Sequence, residues 1–296
     1  MRVTQSMLSS NMMKNLTASL GRLDKLNTQV ASQKKITKPS DDPVVAMKGI
    51  THRRSLAEVE QFQRNFSEAY NWVENSDSAM DKAKLALDRI RELVVEVSND
   101  TYDYEQRQAA SEEIKQLKEH LVDIANTKFG EKYLFNGTKT TTPPFNPDGT
   151  VNGTISTAEV QIELSKDVRV PVNMSAISVF PTGAGGMFET INSITSLLDN
   201  TTTTGEDVTG SLNSIDQLIS KNTTARAQMG ARYNRIELME ARVAEQKVVS
   251  SRIMSENEDV DFEQVVTDLT VQETVHKAAL SVASRIIQPT LMDYLR

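Results

Sequence analysis

Met80, Ala83, Leu87, Ile90, Val94 and Val97 recur at alternating spacings of three and four residues, and Ala110, Ile114, Leu117, Leu121 and Ile124 repeat the pattern. That alternation places each set on one narrow seam of an α-helix. It is the a/d geometry of helices that wind along each other, not the broad stripe of a globular surface helix. The pattern excludes a chain dominated by sheet and commits its first half to long, packed helices. Composition agrees. Aromatics are only 5% of 296 residues, too few for one large globular core, while Gly (12) and Pro (8) are too rare for a low-complexity chain.

The spacing predicts one helix from about Pro43 to Ser98 and another from about Asp103 to Thr127, separated by the polar break Asn99 to Asp103. At 1.5 Å per residue the first is roughly 80 Å long. A partner lies in the second half, where Ile236, Met239 and Val243 sit within a run free of Gly and Pro from Ala231 to Ser255. Between the halves the chain changes character. Pro143, Pro144, Pro147, Asp148-Gly149 and Asn152-Gly153 are turn formers, and Val160 to Leu164 alternates with period two, as a half-buried strand does. Gly183 to Gly186 then leads into a helix near Met187 to Leu198.

Two apolar-striped helices flank this arrangement. Leu16, Leu20, Leu23, Leu26 and Val30 mark the first; Phe262, Val265, Leu269, Val275, Ala279, Val282 and Ile286 mark the second, which ends in Leu291 and Leu295. The expected fold is mainly α: a long antiparallel, coiled-coil-like bundle made from the N- and C-terminal halves, with a small inserted β domain. Residues 1–40 with 262–296 form a terminal pair, 41–137 with 187–261 the long-helix bundle, and 138–186 the insertion.

Chemistry is sparse. There is no cysteine, which excludes a disulfide framework, a thiol nucleophile and any Cys-based metal site. The three histidines, His52, His120 and His276, have no metal or triad spacing. Gly183 to Gly186 lacks the Lys-Ser/Thr ending of a phosphate loop and reads as a boundary turn. The acidic run Ser255 to Asp261 has neither the Gly nor the terminal Glu of a calcium loop and reads as a solvated linker. Asp41-Asp42 lies between Pro39 and Pro43, where it caps the long helix with Pro43 in the first turn. No enzyme and no cofactor are expected. The formal charge of −7 argues against a nucleic-acid partner, although residues 1–40 alone carry seven Lys/Arg against one Asp. No apolar signal segment follows Met1, and the longest uncharged run, Val170 to Phe188, is broken by Pro171 and Pro181, so no membrane partner is expected.

Three stretches resemble the flagellin family, in the family's order: Gln33-Lys34-Lys35-Ile36-Thr37-Lys38-Pro39-Ser40-Asp41-Asp42-Pro43; Arg91-Glu92-Leu93 through Ser98-Asn99-Asp100 and Glu105-Gln106-Arg107 to Ile124-Ala125-Asn126-Thr127; and Met229 to Arg235 with Asp259-Val260-Asp261-Phe262. Together they touch nearly all the chain outside the β insertion. The Pro-Ser-Asp-Asp-Pro linker, Lys132-Tyr133-Leu134-Phe135-Asn136-Gly137-Thr138, the opening Met1-Arg2-Val3-Thr4 and the close Leu291 to Leu295 look like the family's hook–filament junction branch and not its filament-forming branch, which stands as the alternative.

The resemblance implies a structural adapter of the bacterial flagellum, secreted and extracellular at the hook–filament junction. The partners it implies are neighbouring copies of the chain, the hook-side junction protein, flagellin, the type III export apparatus and an export chaperone. Leu16, Leu20, Leu23, Val30, Phe262, Leu269, Val275, Ala279, Ile286, Leu291 and Leu295 would form the assembly interface; Pro39, Asp41, Asp42, Pro43, Asp259 and Asp261 would form its linker. Each buried Leu contributes about 1.5–3 kcal/mol, against an ordering cost of about 1–2 kcal/mol per residue. Neither end helix is expected to bury its face against much of its own chain, so both are expected to be disordered until neighbours cover them.

Overall fold

The computed structural model describes residues 5–98, 102–183, 185–201 and 205–286. Eight helices and four short strands occupy them: α1 Gln5–Ser32, α2 Pro43–Val97, α3 Tyr104–Ala125, β1 Lys128–Phe129, β2 Lys132–Tyr133, β3 Gln161–Ser165, β4 Val168–Pro171, α4 Ala176–Val179, α5 Met187–Leu198, α6 Gly205–Thr209, α7 Leu212–Glu258 and α8 Phe262–Ile286. The fold is mainly α with a small β region, as the seams require. The chain divides into two compact units, Val59–Glu245 and the pair Met1–Glu58 with Gln246–Arg296.

In the central unit the α2 seam is the core. Met80, Ala83, Leu87, Ile90, Val94 and Val97 are all at most 2% exposed, and the row runs back through Val73, Ala69 and Phe66. From α7 come Ile215, Leu218, Ala225, Met229, Ile236 and Val243; from α3, Ile114, Leu121 and Ile124. The pairing of α2 with α7 is antiparallel. Arg91 Nε meets Asp216 Oδ1 at 2.6 Å, Arg226 reaches Asp77 and Asp81 at 3.1 and 2.6 Å, and the Tyr70 hydroxyl donates to Glu240 at 2.7 Å. Burial, with the Glu240 carboxylate beside it, pushes the Tyr70 hydroxyl well above its ordinary pKa. Asn222 interrupts the α7 seam, fully buried, with neither amide atom partnered among the described residues.

The β region begins earlier than its turn residues indicate. β1 and β2 form an antiparallel hairpin, Lys128 opposite Tyr133, with Gly130 at φ +59° in the turn. Two-residue strands are too short for a periodicity signal. β3 pairs antiparallel with β4, Ile162 opposite Val170, with an irregularity between Glu163 and Ser165. Leu164 and Val170 point inward. Phe135, Phe145, Phe180 and Phe188 pack edge to face nearby, centroids 5.0–6.2 Å apart. Half of the chain's eight phenylalanines are thus spent on this part of the core, which is continuous with the α2 seam. The turn ahead of α5 has Gly183 and Gly185 at φ +84° and +76°; a Cβ on Gly186 would lie 2.7 Å from the Gly183 carbonyl oxygen. Ala184 lies outside the described residues.

In the terminal unit α1 packs on α8. The inward side of α1 is Met12, Leu16, Ser19, Leu23, Leu26 and Val30; that of α8 is Val265, Leu269, Gln272, His276, Ala279 and Ala283. Both run at spacings of three and four, and Ser19 Oγ lies 3.1 Å from both Gln272 Nε2 and His276 Nδ1. Each end helix therefore covers one side of the other. A seam that admits polar residues lets the two meet without a continuous apolar stripe.

Candidate assembly interface

The segments joining α1 to α2 and α7 to α8 are held side by side. Gln33 closes α1 at φ +56°, a left-handed stop. Lys34 then bridges Asp259 in antiparallel fashion. Lys35 N donates to the Glu258 carbonyl at 2.7 Å, and Val260 N donates to the Gln33 carbonyl at 3.1 Å. Charge reinforces this short ladder. Lys34 Nζ lies 2.6 Å from Asp259 Oδ1 and 3.5 Å from Glu258 Oε2. Arg53, nearly three turns into α2, binds both Glu258 oxygens at 2.7 and 2.8 Å. The Glu258 side chain is only 5% exposed. Asn257 Nδ2 donates to the Val45 carbonyl at 3.1 Å. A Cβ on Gly49 would lie 2.8 Å from Glu258 Oε1, so α2 carries glycine where the carboxylate needs room.

These contacts set the charges. Arg53 beside it holds the Glu258 carboxyl below its ordinary range, Lys34 does the same for Asp259, and Asp259 in turn raises Lys34. Asp41 is held low by amides of its own turn: Oδ2 accepts from Lys38 N at 3.0 Å and Thr37 N at 3.2 Å, with Pro39 inside that turn. Asp42 Oδ1 accepts from Val44 N and Val45 N at 2.9 and 3.1 Å, so Asp42 caps α2 and Pro43 occupies its first turn. Asp261 Oδ1 accepts from Gln264 N at 3.2 Å and caps α8.

The linker set expected from sequence thus forms real contacts, but its strongest members went unread. Glu258, Arg53, Lys34 and Gly49 carry the clamp. The run Ser255 to Asp261 is not a solvated linker, because α7 continues to Glu258 and buries that carboxylate. Arg53 stands 205 residues from its partner, and no local spacing announces a pair at that distance.

The apolar residues expected at the terminal interface fall on two sides. Leu16, Leu23, Val30, Leu269 and Ala279 turn toward the seam between α1 and α8. Leu20, Phe262 and Val275 face away, 54%, 49% and 48% exposed. The reason is the polar layer: the α8 seam passes through Gln272 and His276, so apolar residues out of phase with it face away. Met7, Leu8 and Met13 on α1 and Val266, Val271, Leu280 and Val282 on α8 are exposed as well. Ile286 ends α8, and its side chain lies outside the described residues, as do Leu291 and Leu295. Each paired helix therefore keeps a second, uncovered apolar side.

No group of three or more His, Asp or Glu is placed to hold a metal among the described residues, and no helix there is long and apolar enough to cross a membrane. His276 is occupied by the Ser19 contact.

Long paired helices whose two ends are tied together, with a small insertion between the halves, define the class of fold; sequence comparison assigns the class. The bacterial flagellin N-terminal helical region matches residues 3–140, and the bacterial flagellin C-terminal helical region matches residues 212–295. The chain belongs to the bacterial flagellin family. Flagellar hook-associated protein 3 of Escherichia coli is 24% identical over 305 aligned positions, covering 94% of this chain and 95% of that protein. A solved putative flagellar hook-associated protein from Vibrio parahaemolyticus superimposes with a TM-score of 0.68 at 22% identity, over 74% of this chain and all of that one. The flagellar junction protein FlgL from Legionella pneumophila does so with a TM-score of 0.58 at 17% identity, over 72% and 100%.

Proposed function

We propose that this chain is a structural adapter subunit of the bacterial flagellum at the hook–filament junction, polymerising through its terminal helices, and not an enzyme. The observation that carries the reading is the doubled apolar character of the end helices. One side of α1 and α8 is satisfied within the chain, and the other leaves Leu20, Met13, Val271, Val275 and Val282 in water. Neighbouring copies supply the missing cover. In this reading residues 1–40 with 262–296 are the assembly core, 41–137 with 187–261 the bundle, and 138–186 the insertion. The clamp of Lys34, Arg53, Glu258 and Asp259 orients the assembly core. The hook-side junction protein contacts one end of the ring and flagellin the other. The chain is secreted through the flagellar type III apparatus, escorted beforehand by a chaperone.

Seeded assembly tests this reading. Purified protein is added to isolated hooks, and separately to sheared filament ends, and growth is followed by electron microscopy. A short zone on hooks that stops and then accepts flagellin is expected. Filaments micrometres long from either seed identify a filament subunit instead.

A further inference from the structure

Asn-Gly-Thr occurs twice in the β region, at Asn136-Gly137-Thr138 and Asn152-Gly153-Thr154, and the fold treats the two copies oppositely. Asn136 is 1% exposed, and all of its amide is engaged. Its Nδ2 donates to the Thr142 carbonyl at 3.0 Å and its Oδ1 accepts from Ser156 N at 3.1 Å. The following glycine is walled in, since a Cβ on Gly137 would lie 2.5 Å from the Ser156 carbonyl oxygen. Asn152 is exposed, and its side chain has no partner among the described residues. Gly153 sits at φ +70° with nothing within 4 Å of a Cβ position. A nearby Asp-Gly pair is locked too: Asp148 Oδ1 accepts from Thr150 N and Thr150 Oγ1 at 2.9 and 2.7 Å, and Gly149 is buried against Phe188.

We infer that Asn152 is a site of spontaneous covalent modification, deamidation through its own backbone, and that Asn136 is protected by the fold. The Gly153 backbone nitrogen loses its proton to solvent base and bonds to Asn152 Cγ. The Cγ–Nδ2 bond breaks, and ammonia leaves with a proton from water. The resulting five-membered imide is opened by one water molecule at either carbonyl, giving aspartate or isoaspartate. The step needs a free amide, a following residue without a Cβ, and backbone room to bring nitrogen onto carbon. Asn152 has all three. Asn136 has only the glycine, and it reacts only from a locally opened state whose population the free energy of opening suppresses. Each event adds one negative charge to an exposed loop of a protein whose net charge is already −7, and the isoaspartate product also lengthens the main chain by one carbon. This inference is independent of the junction reading.

The test is a time course of the full-length chain at mildly alkaline pH and 37 °C, digested and read by peptide mass spectrometry, with a parallel sample in urea. Conversion adds about one mass unit to the affected peptide. In the folded chain the Asn152 peptide is expected to convert at least about tenfold faster than the Asn136 peptide. In urea the two rates are expected to converge. An Asn152→Ala chain is expected to lose the fast component and keep its fold. Equal rates in the folded chain overturn the inference. So does an intact Asn152 after the urea sample has converted.

Discussion

The central and terminal units use the same heptad spacing to opposite ends. Along α2 the seam Met80 to Val97 is entirely apolar and entirely buried. Along α1 and α8 the seam is mixed, with Ser19, Gln272 and His276 in its middle, and comparable apolar residues lie outside it. Spacing alone therefore shows that a helix has a partner. Which side is covered, and whether the cover comes from the same chain, depends on what occupies the seam. The central unit leaves scattered apolar residues such as Leu85 and Leu238 exposed, whereas the terminal unit leaves several together on each of α1 and α8.

The largest expected effect that tests this contrast is a charge placed on each kind of apolar site. Leu87→Asp buries an unpaired carboxylate in the closed core and is expected to cost about 4 kcal/mol or more, unfolding the central unit in a calorimetric melt. Leu20→Asp sits on the uncovered side of α1. It is expected to leave the melt unchanged while abolishing incorporation in the seeded assay. Normal incorporation of Leu20→Asp removes α1 from the interface.

A smaller effect is expected at the clamp. Glu258→Ala leaves Arg53 without its bidentate partner and Lys34 with Asp259 alone. Because Arg53 is largely exposed and screened, the loss is expected to be about 1–2 kcal/mol. It should appear as faster amide exchange at Lys35 and Val260, whose backbone bonds close the ladder, with the central unit unaffected. Unchanged exchange at those amides assigns the ladder to backbone pairing alone.

Acid sharpens the same distinction. Arg53 holds the Glu258 carboxyl, and Lys34 the Asp259 carboxyl, below the ordinary carboxylate range. A carboxylate held low stabilises the fold fully above its unfolded pKa and loses that contribution as pH falls through the folded value. The protection of the Lys35 and Val260 amides, taken relative to the intrinsic exchange rate at each pH, is therefore expected to hold at neutral pH and to fall below about pH 4, the unfolded carboxylate range. The all-apolar α2 seam should keep its protection there. An equal fall of protection in both units contradicts a local origin.

The smallest effect concerns two glycines in helix interiors. Gly21 in α1 and Gly230 in α7 have nothing within 4 Å of a Cβ position. Alanine at either is expected to stabilise the isolated chain by about 0.5–1 kcal/mol, seen as a small rise in melting temperature. If Gly21→Ala stabilises the chain but blocks incorporation, a neighbour's backbone approaches α1 at that point.

Much of this was legible beforehand, for identifiable reasons. The α2 seam could be read because each position is apolar and the pattern lasts long enough to exclude other periods. The Asp42 and Pro43 cap could be read because capping is local chemistry. On α8 the apolar residues alone do not show which side meets α1, because Val275 stays exposed whereas the helix turns Gln272 and His276 inward. Glu258 was missed because an acidic run looks solvated until a distant Arg53 and a nearby Gly49 make space and charge for it. The β1–β2 hairpin is too short to carry any pattern.

The tie between Lys34 and Asp259 also fixes an order of events. Its partners stand 225 residues apart. Closing a loop of that length from an open chain costs about 5 kcal/mol in entropy. Two backbone bonds and a few ion pairs cannot offset that unaided. Once α2 and α7 have paired, as the Tyr70–Glu240 bond records, most of the intervening chain is already gathered, and the remaining closure is short. The tie is thus a late contact. During synthesis α1 emerges more than two hundred residues before α8, so throughout that interval its apolar residues are available to whatever else can bind them.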